Sequence, residues 1–115
     1  MDEIVKHYEK ITSVPRRELT ATLYLDYRRT GNRTRYQEAR ERRMKELLYA
    51  TLLECCRNDG ALIDDIVDLT WMVLEQTTWC VPAHNTVVPI ADGLPYHKKW
   101  SVTICSTHTA MHMAF

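Results

Sequence analysis

Leu62-Ile63-Asp64-Asp65-Ile66-Val67-Asp68-Leu69-Thr70-Trp71-Met72-Val73-Leu74-Glu75-Gln76-Thr77 is the stretch on which the fold class turns. Wound as a helix, it carries Leu62, Ile63, Ile66, Val67, Leu69, Trp71, Met72, Val73 and Leu74 around most of its circumference. Only a narrow acidic stripe interrupts them: Asp64, Asp68 and Glu75, at i, i+4 and i+11. Asp65 stands beside it near the N-terminus, where the helix dipole favours negative charge. A helix apolar on so many sides needs neighbours on several of them, so the chain reads as part of a larger helical assembly.

Working outward, Asn58-Asp59-Gly60 separates this segment from a longer one. From about Tyr36 to Arg57, Met44, Leu48, Leu52 and Cys55 fall on one stripe, with Glu38, Arg42, Lys45 and Glu46 elsewhere. That spacing predicts an amphipathic helix of about 33 Å, with Gly60 suited to its left-handed cap. Upstream, residues 3–12 repeat Ile4, Tyr8 and Ile11 at helical spacing and stop before Pro15. A short helix is expected around 18–29, followed by a turn at Gly31-Asn32. Tyr24 and Tyr27 in that helix read as packing aromatics.

The 115 residues fit one small domain with a single core. Charge sums to zero but is unevenly placed: residues 16–43 carry a net +5 and residues 54–75 a net −5. The basic stretch suits an anionic partner, or else pairs with the acidic helix that follows it. The aromatic interleaving of a single-strand binder is missing, so nucleic acid is not expected. The first residues hold no apolar run of signal-peptide length, and no stretch approaches a membrane span, so the chain as written is expected in the cytoplasm without a membrane partner. Cys55, Cys56, Cys80 and Cys105 show no Cys-x-x-Cys spacing. They are expected as reduced thiols, with Cys55-Cys56 packing as small apolar bulk in the long helix.

Residues 96–115 differ in composition, holding three of the five His and no acid. They show neither a helical stripe nor sustained strand alternation, although Trp100-Ser101-Val102-Thr103-Ile104 suits a short strand, and an irregular tail is expected. Cys105, His108 and His112 have spacing that zinc could use, but a clear fourth ligand is lacking, so no metal site is assigned. No Gly-rich phosphate loop, paired-carboxylate pattern or Gly-x-Ser-x-Gly elbow is present.

Two strings carry a family resemblance. Arg29-Thr30-Gly31-Asn32-Arg33 follows Leu23-Tyr24-Leu25-Asp26-Tyr27, and Trp79-Cys80-Val81-Pro82-Ala83-His84-Asn85 follows Asp64-Asp65-Ile66-Val67. Together, from about Arg16 to about Leu94, they resemble the N-terminal helical region of heparinase II/III-like polysaccharide lyases. The resemblance implies an all-α fold for residues 1–95, built of helical hairpins from an incomplete α/α toroid, with an acidic polysaccharide as partner and no cofactor. It also implies β-elimination: proton abstraction at C5 of a uronate, charge neutralisation at its carboxylate and protonation of the leaving oxygen.

On this resemblance the candidate substrate-binding residues are Arg29, Asn32, Arg33, Trp79, His84 and Asn85. Guanidinium forks hold carboxylates or sulfates, Asn donates through its amide, and His donates or accepts near neutral pH. Trp79 would stack on a sugar ring. In the alternative reading Trp79 is core, Pro82 a helix stop, His84-Asn85 a turn pair, and the arginines cap a helix or pair with Asp64, Asp65 or Asp68. The family's principal catalytic residues lie farther along the toroid, so no catalytic residue is assigned, and a fragment inactive on its own is expected. The family's full-length members are often periplasmic or secreted. The change after Leu94-Pro95 is what a shifted frame, a truncated gene or a misplaced stop would produce. A chain excised from a toroid is expected to be marginally stable or to self-associate through exposed apolar helix faces. A small helical polyanion-binding module, or a helical protein without a ligand, is the competing expectation.

Overall fold

A computed structural model describes residues 1–84, Leu94 and residues 104–114. Every regular element among them is helical: α1 (Asp2–Thr12), α2 (Ala21–Thr30), α3 (Thr34–Arg57), α4 (Ile63–Leu74), a 3-10 turn (Pro82–His84) and α5 (Ile104–Ala114). The all-α expectation holds. The chain divides into two compact units. One comprises Met1–Arg17 with Ala39–Glu75, the other Glu18–Glu38 with Gln76–Phe115.

In the first unit, α3 and α4 form a helical hairpin. Arg43 Nη1 donates to Met72 O at 3.4 Å near one end, and the Glu54 carboxylate accepts from Leu62 N at 3.0 Å near the other, so the helices run antiparallel. The turn between them uses left-handed backbone at Asn58 (φ 50) and Gly60 (φ 78), as expected for that sequence. Glu54 also accepts from Gly60 N at 2.6 Å, which satisfies two backbone donors with one buried carboxylate. The core holds Leu47, Ala50, Leu53, Leu62, Leu69 and Val73. Burial of Leu53 or Leu69 alone contributes about 1.5–3 kcal/mol.

The buried face of α3 differs from the expected stripe. Ala39, Arg40, Arg43, Glu46, Leu47, Ala50, Leu53 and Glu54 are buried, whereas Leu48 and Leu52 are 39% and 40% exposed and Cys55 is exposed too. The helix is rotated by nearly half a turn from the hydrophobic reading. Its inner face carries charged side chains that find partners, namely Glu46 with two arginines and Glu54 with the turn amides. Pairing removes the penalty that would exclude those residues from a core. Cys55 and Cys56 are both exposed free thiols rather than packing bulk.

On α4, Leu69 and Val73 are fully buried while Ile63, Val67, Trp71 and Leu74 are about half or more exposed. The apolar circumference predicted for this helix is therefore covered on one side. Helix α1 begins with Asp2 and Glu3 and ends with Lys10, complementing its dipole, and the Thr12 and Ser13 hydroxyls donate to carbonyls of its last turn. His7 on α1 stacks on Tyr49 of α3 with ring centroids 5.3 Å apart.

In the second unit, Thr20 caps α2 by accepting from Leu23 N at 3.1 Å. Gly31 (φ 74) ends α2 and donates to Tyr27 O at 2.8 Å. Tyr24 meets Tyr36, in the first turn of α3, edge to face at 5.1 Å. Cys80 and Val81 are buried, and α2 packs on the turn Pro82–His84. The tail expected to be irregular contains α5, on which Thr109 is buried. Its sequence, Ile-Cys-Ser-Thr-His-Thr-Ala-Met-His-Met-Ala, lacks acids and strong polar contrast, so no stripe marks the helix. The strand considered for Trp100–Ile104 falls largely outside the described residues.

Candidate functional site

The α2–α3 turn is organised by its own polar side chains. Asn32 Oδ1 accepts from Arg35 N at 3.0 Å and caps the first turn of α3, and Asn32 N donates to Thr30 Oγ1 at 3.2 Å. Arg35 Nη1 donates to the Asp26 carboxylate at 3.1 Å, and Thr30 Oγ1 donates back to Asp26 O at 2.8 Å. The turn thus has a fixed shape, and Asn32 has a capping role within it.

Around this turn, Arg28, Arg29 and Arg33 are exposed and make no ion pair among the described residues. Arg28 and Arg29 lie in the last turn of α2, where the carbonyl end of the helix dipole favours cations. Three guanidinium groups within six residues, on a turn held by Gly31 and Asn32, can receive carboxylate or sulfate oxygens.

Of the other arginines of the basic stretch, Arg16, Arg35, Arg42 and Arg43 are committed elsewhere. In the first unit, Arg16 Nε and Nη2 donate to Glu46 at 3.0 and 2.8 Å, and Nη2 also reaches Asp65 at 3.3 Å. Arg42 donates to Glu46 and to Val14 O. Arg43 Nη2 donates to Arg17 O at 3.3 Å. The expected pairing with the acidic helix is thus made by Arg16 with Asp65, while Arg35 pairs with Asp26 instead.

Burial opposes ionisation of Glu46, but the hydrogen bonds and charges of Arg16 and Arg42 outweigh it and hold the carboxyl below its ordinary range. Arg16 is raised in turn, chiefly by its hydrogen bond to Glu46. Burial, with the nearby Asp65 and Glu46 carboxylates, pushes the Tyr8 hydroxyl up. With its oxygens occupied by guanidinium donors, Glu46 is suited to structural pairing rather than proton transfer. Sequence reasoning missed Glu46 and Glu54. The signals available were Arg42 four residues before Glu46, on one helix face, and an acid placed ahead of a Gly turn.

Of the second string, Trp79 is half-buried, Cys80 N donates to Thr78 Oγ1 at 3.0 Å, and Pro82 is buried. His84 ends the 3-10 turn, and Asn85 lies outside the described residues. Because that turn packs on α2, the fold brings together the two elements that carry the two strings. On α5, the rings of His108 and His112 lie 5.7 Å apart, with His112 Nδ1 at 2.9 Å from His108 O. No group of three metal-binding side chains occurs among the described residues.

No described helix is long and apolar enough to cross a membrane. Comparison with known protein families and with curated proteins finds no match to this chain.

Proposed function

We propose that this chain is the N-terminal helical part of a heparinase II/III-like lyase, with a role in holding an acidic, uronate-containing polysaccharide and without elimination activity of its own. The observation that carries the reading is the cluster of Arg28, Arg29 and Arg33. These exposed side chains surround a rigid turn, while Arg16, Arg35 and Arg42 are paired. Electrostatic attraction between such a cluster and a polyanion is strong at low salt and weakens as salt rises. The packing of α2 on the Pro82–His84 turn supports reading the two strings together, since it brings the elements that carry them side by side.

The experiment has two readouts on the same sample. Mixing the protein with heparin, heparan sulfate or alginate gives salt-sensitive binding and no rise in ultraviolet absorbance from an unsaturated uronate. An absorbance rise that is lost in His84→Ala would overturn the non-catalytic assignment. Absence of binding at low salt would overturn the polyanion role.

A second reading, a polyanion-binding module unrelated to lyases, rests on the same arginine cluster and predicts the same binding. The two separate on substrate: the lyase-derived reading requires preference for uronate-containing chains over polyphosphate of equal charge, and the module does not.

A further inference from the structure

Ile63, Val67, Trp71 and Leu74 on α4 are 48%, 55%, 64% and 60% exposed. Spaced i, i+4, i+8 and i+11, they fall within about 80° of the helix circumference and form one stripe about 16 Å long. Asp64, Asp68 and Glu75, all exposed, occupy roughly the next 40°, along the side of the stripe beyond Trp71. The opposite side of α4 carries Leu69 and Val73 into the core of the first unit. Between Arg57 and Lys98 the sequence holds no Lys or Arg, so α4 and the residues on either side of it in the chain supply negative charge only. A contiguous apolar patch that includes a Trp and is edged with charge of one sign is what a protein interface presents.

We propose that this face docks a basic amphipathic helix of another protein. Such a helix, about three turns long, lays apolar residues at i, i+4, i+7 and i+11 against the stripe and sets Lys or Arg alongside Asp64, Asp68 and Glu75. Trp71 supplies the anchor, because Trp is prominent among the residues that dominate interface energy. The acids fix the sign of the partner: complementary charge steers the encounter, and an acidic helix is repelled. They also decide between occupants. A lipid surface attracts helices edged with Lys or Arg, whereas its anionic headgroups repel this one. A second copy brings the same acids on its own α4, so pairing of like faces is weak. Polyanions are repelled in the same way, so this face and the arginine-rich turn take opposite partners.

The probe is a labelled synthetic helix of about 14 residues with Leu on one face and Lys beside it, titrated with the full chain and followed by fluorescence anisotropy. Its comparator has Glu in place of each Lys. The Lys peptide is expected to bind at least about tenfold more tightly than the Glu peptide. Trp71→Ala weakens it by about tenfold. Asp64→Lys/Asp68→Lys reverses the preference, a gain for the Glu peptide that an unfolded variant could not give. Equal binding of the two peptides, unchanged affinity in Trp71→Ala, or no reversal in the charge-swapped variant would defeat the proposal. So would a stable dimer in sedimentation that Trp71→Ala dissolves, since the face would then belong to a second copy. Trp71→Ala is expected to keep its heparin affinity and Arg28→Gln/Arg29→Gln/Arg33→Gln its Lys-peptide affinity, so failure of either reading leaves the other standing.

Discussion

Arg16 holds Glu46 through two nitrogens, Nε at 3.0 Å and Nη2 at 2.8 Å, although Glu46 is only 2% exposed and lies thirty residues farther along the chain. The contact ties the segment after α1 to the middle of α3, and Arg42 completes it from one turn away. Removing one partner of a buried pair leaves an uncompensated charge or unfilled donors. Glu46→Ala is therefore expected to cost about 3–5 kcal/mol in urea unfolding. Arg16→Ala costs less, about 1 kcal/mol, because its side chain is one-third exposed and Arg42 remains on Glu46. Equal losses in the two variants would contradict this assignment.

The same pair sets an acid limit. The folded Glu46 carboxyl titrates below its ordinary value, so its contribution is fully present above the unfolded carboxylate pKa, about 4.3. It is lost as pH falls through the folded value. Stability measured from pH 6 downward is expected to fall below about pH 4, and Glu46→Gln should flatten that part of the profile. A Glu46→Gln profile parallel to that of the unmodified chain would argue against a depressed pKa.

The α3–α4 turn depends on Glu54 and Gly60. Glu54→Ala strands Gly60 N and Leu62 N, a loss of about 1–3 kcal/mol for each amide left without solvent. Gly60→Ala has open space for the new methyl but must hold φ at +78, so about 1–2 kcal/mol is expected from backbone strain alone. Hydrogen exchange at Leu62 distinguishes the two, since only Glu54→Ala removes its acceptor.

The positions of α1 to α4 and the turns between them were legible because the signals are local: Pro15, Gly31 and Gly60 punctuate the chain where helices stop. Which side of α3 faces inward was not legible. Hydrophobicity pointed to Leu48 and Leu52, whereas the fold buries Glu46 and Glu54, whose partners lie thirty residues before one and six to eight residues after the other. Helix α5 escaped notice because its residues lack polar contrast. At the candidate site the arginine-rich turn was visible, but its division into paired Arg35 and exposed Arg28, Arg29 and Arg33 depends on the orientation of Asp26.

The exposed faces of the hairpin differ from its core in what they do. Leu69→Ala should lower stability by about 2–5 kcal/mol, since it empties a fully buried site. Val67→Glu with Trp71→Glu should leave stability within about 0.5 kcal/mol while reducing self-association in sedimentation velocity at high protein concentration. A double variant that unfolds would place Val67 and Trp71 in the core instead.

Arg28, Arg29 and Arg33, exposed around the α2–α3 turn and without an ion pair among the described residues, are proposed to hold an acidic polysaccharide. That role is tested by the affinity for a heparin oligosaccharide of defined length across a salt series. The series compares the unmodified chain, Arg28→Gln/Arg29→Gln/Arg33→Gln, and a control carrying Lys6→Gln/Lys10→Gln on exposed positions of α1. Loss of tenfold or more in the arginine variant is expected, with the slope of log affinity against log salt reduced by about two to three and the control nearly unchanged. Equal weakening in both variants, or no change in either, would contradict that role of the arginines.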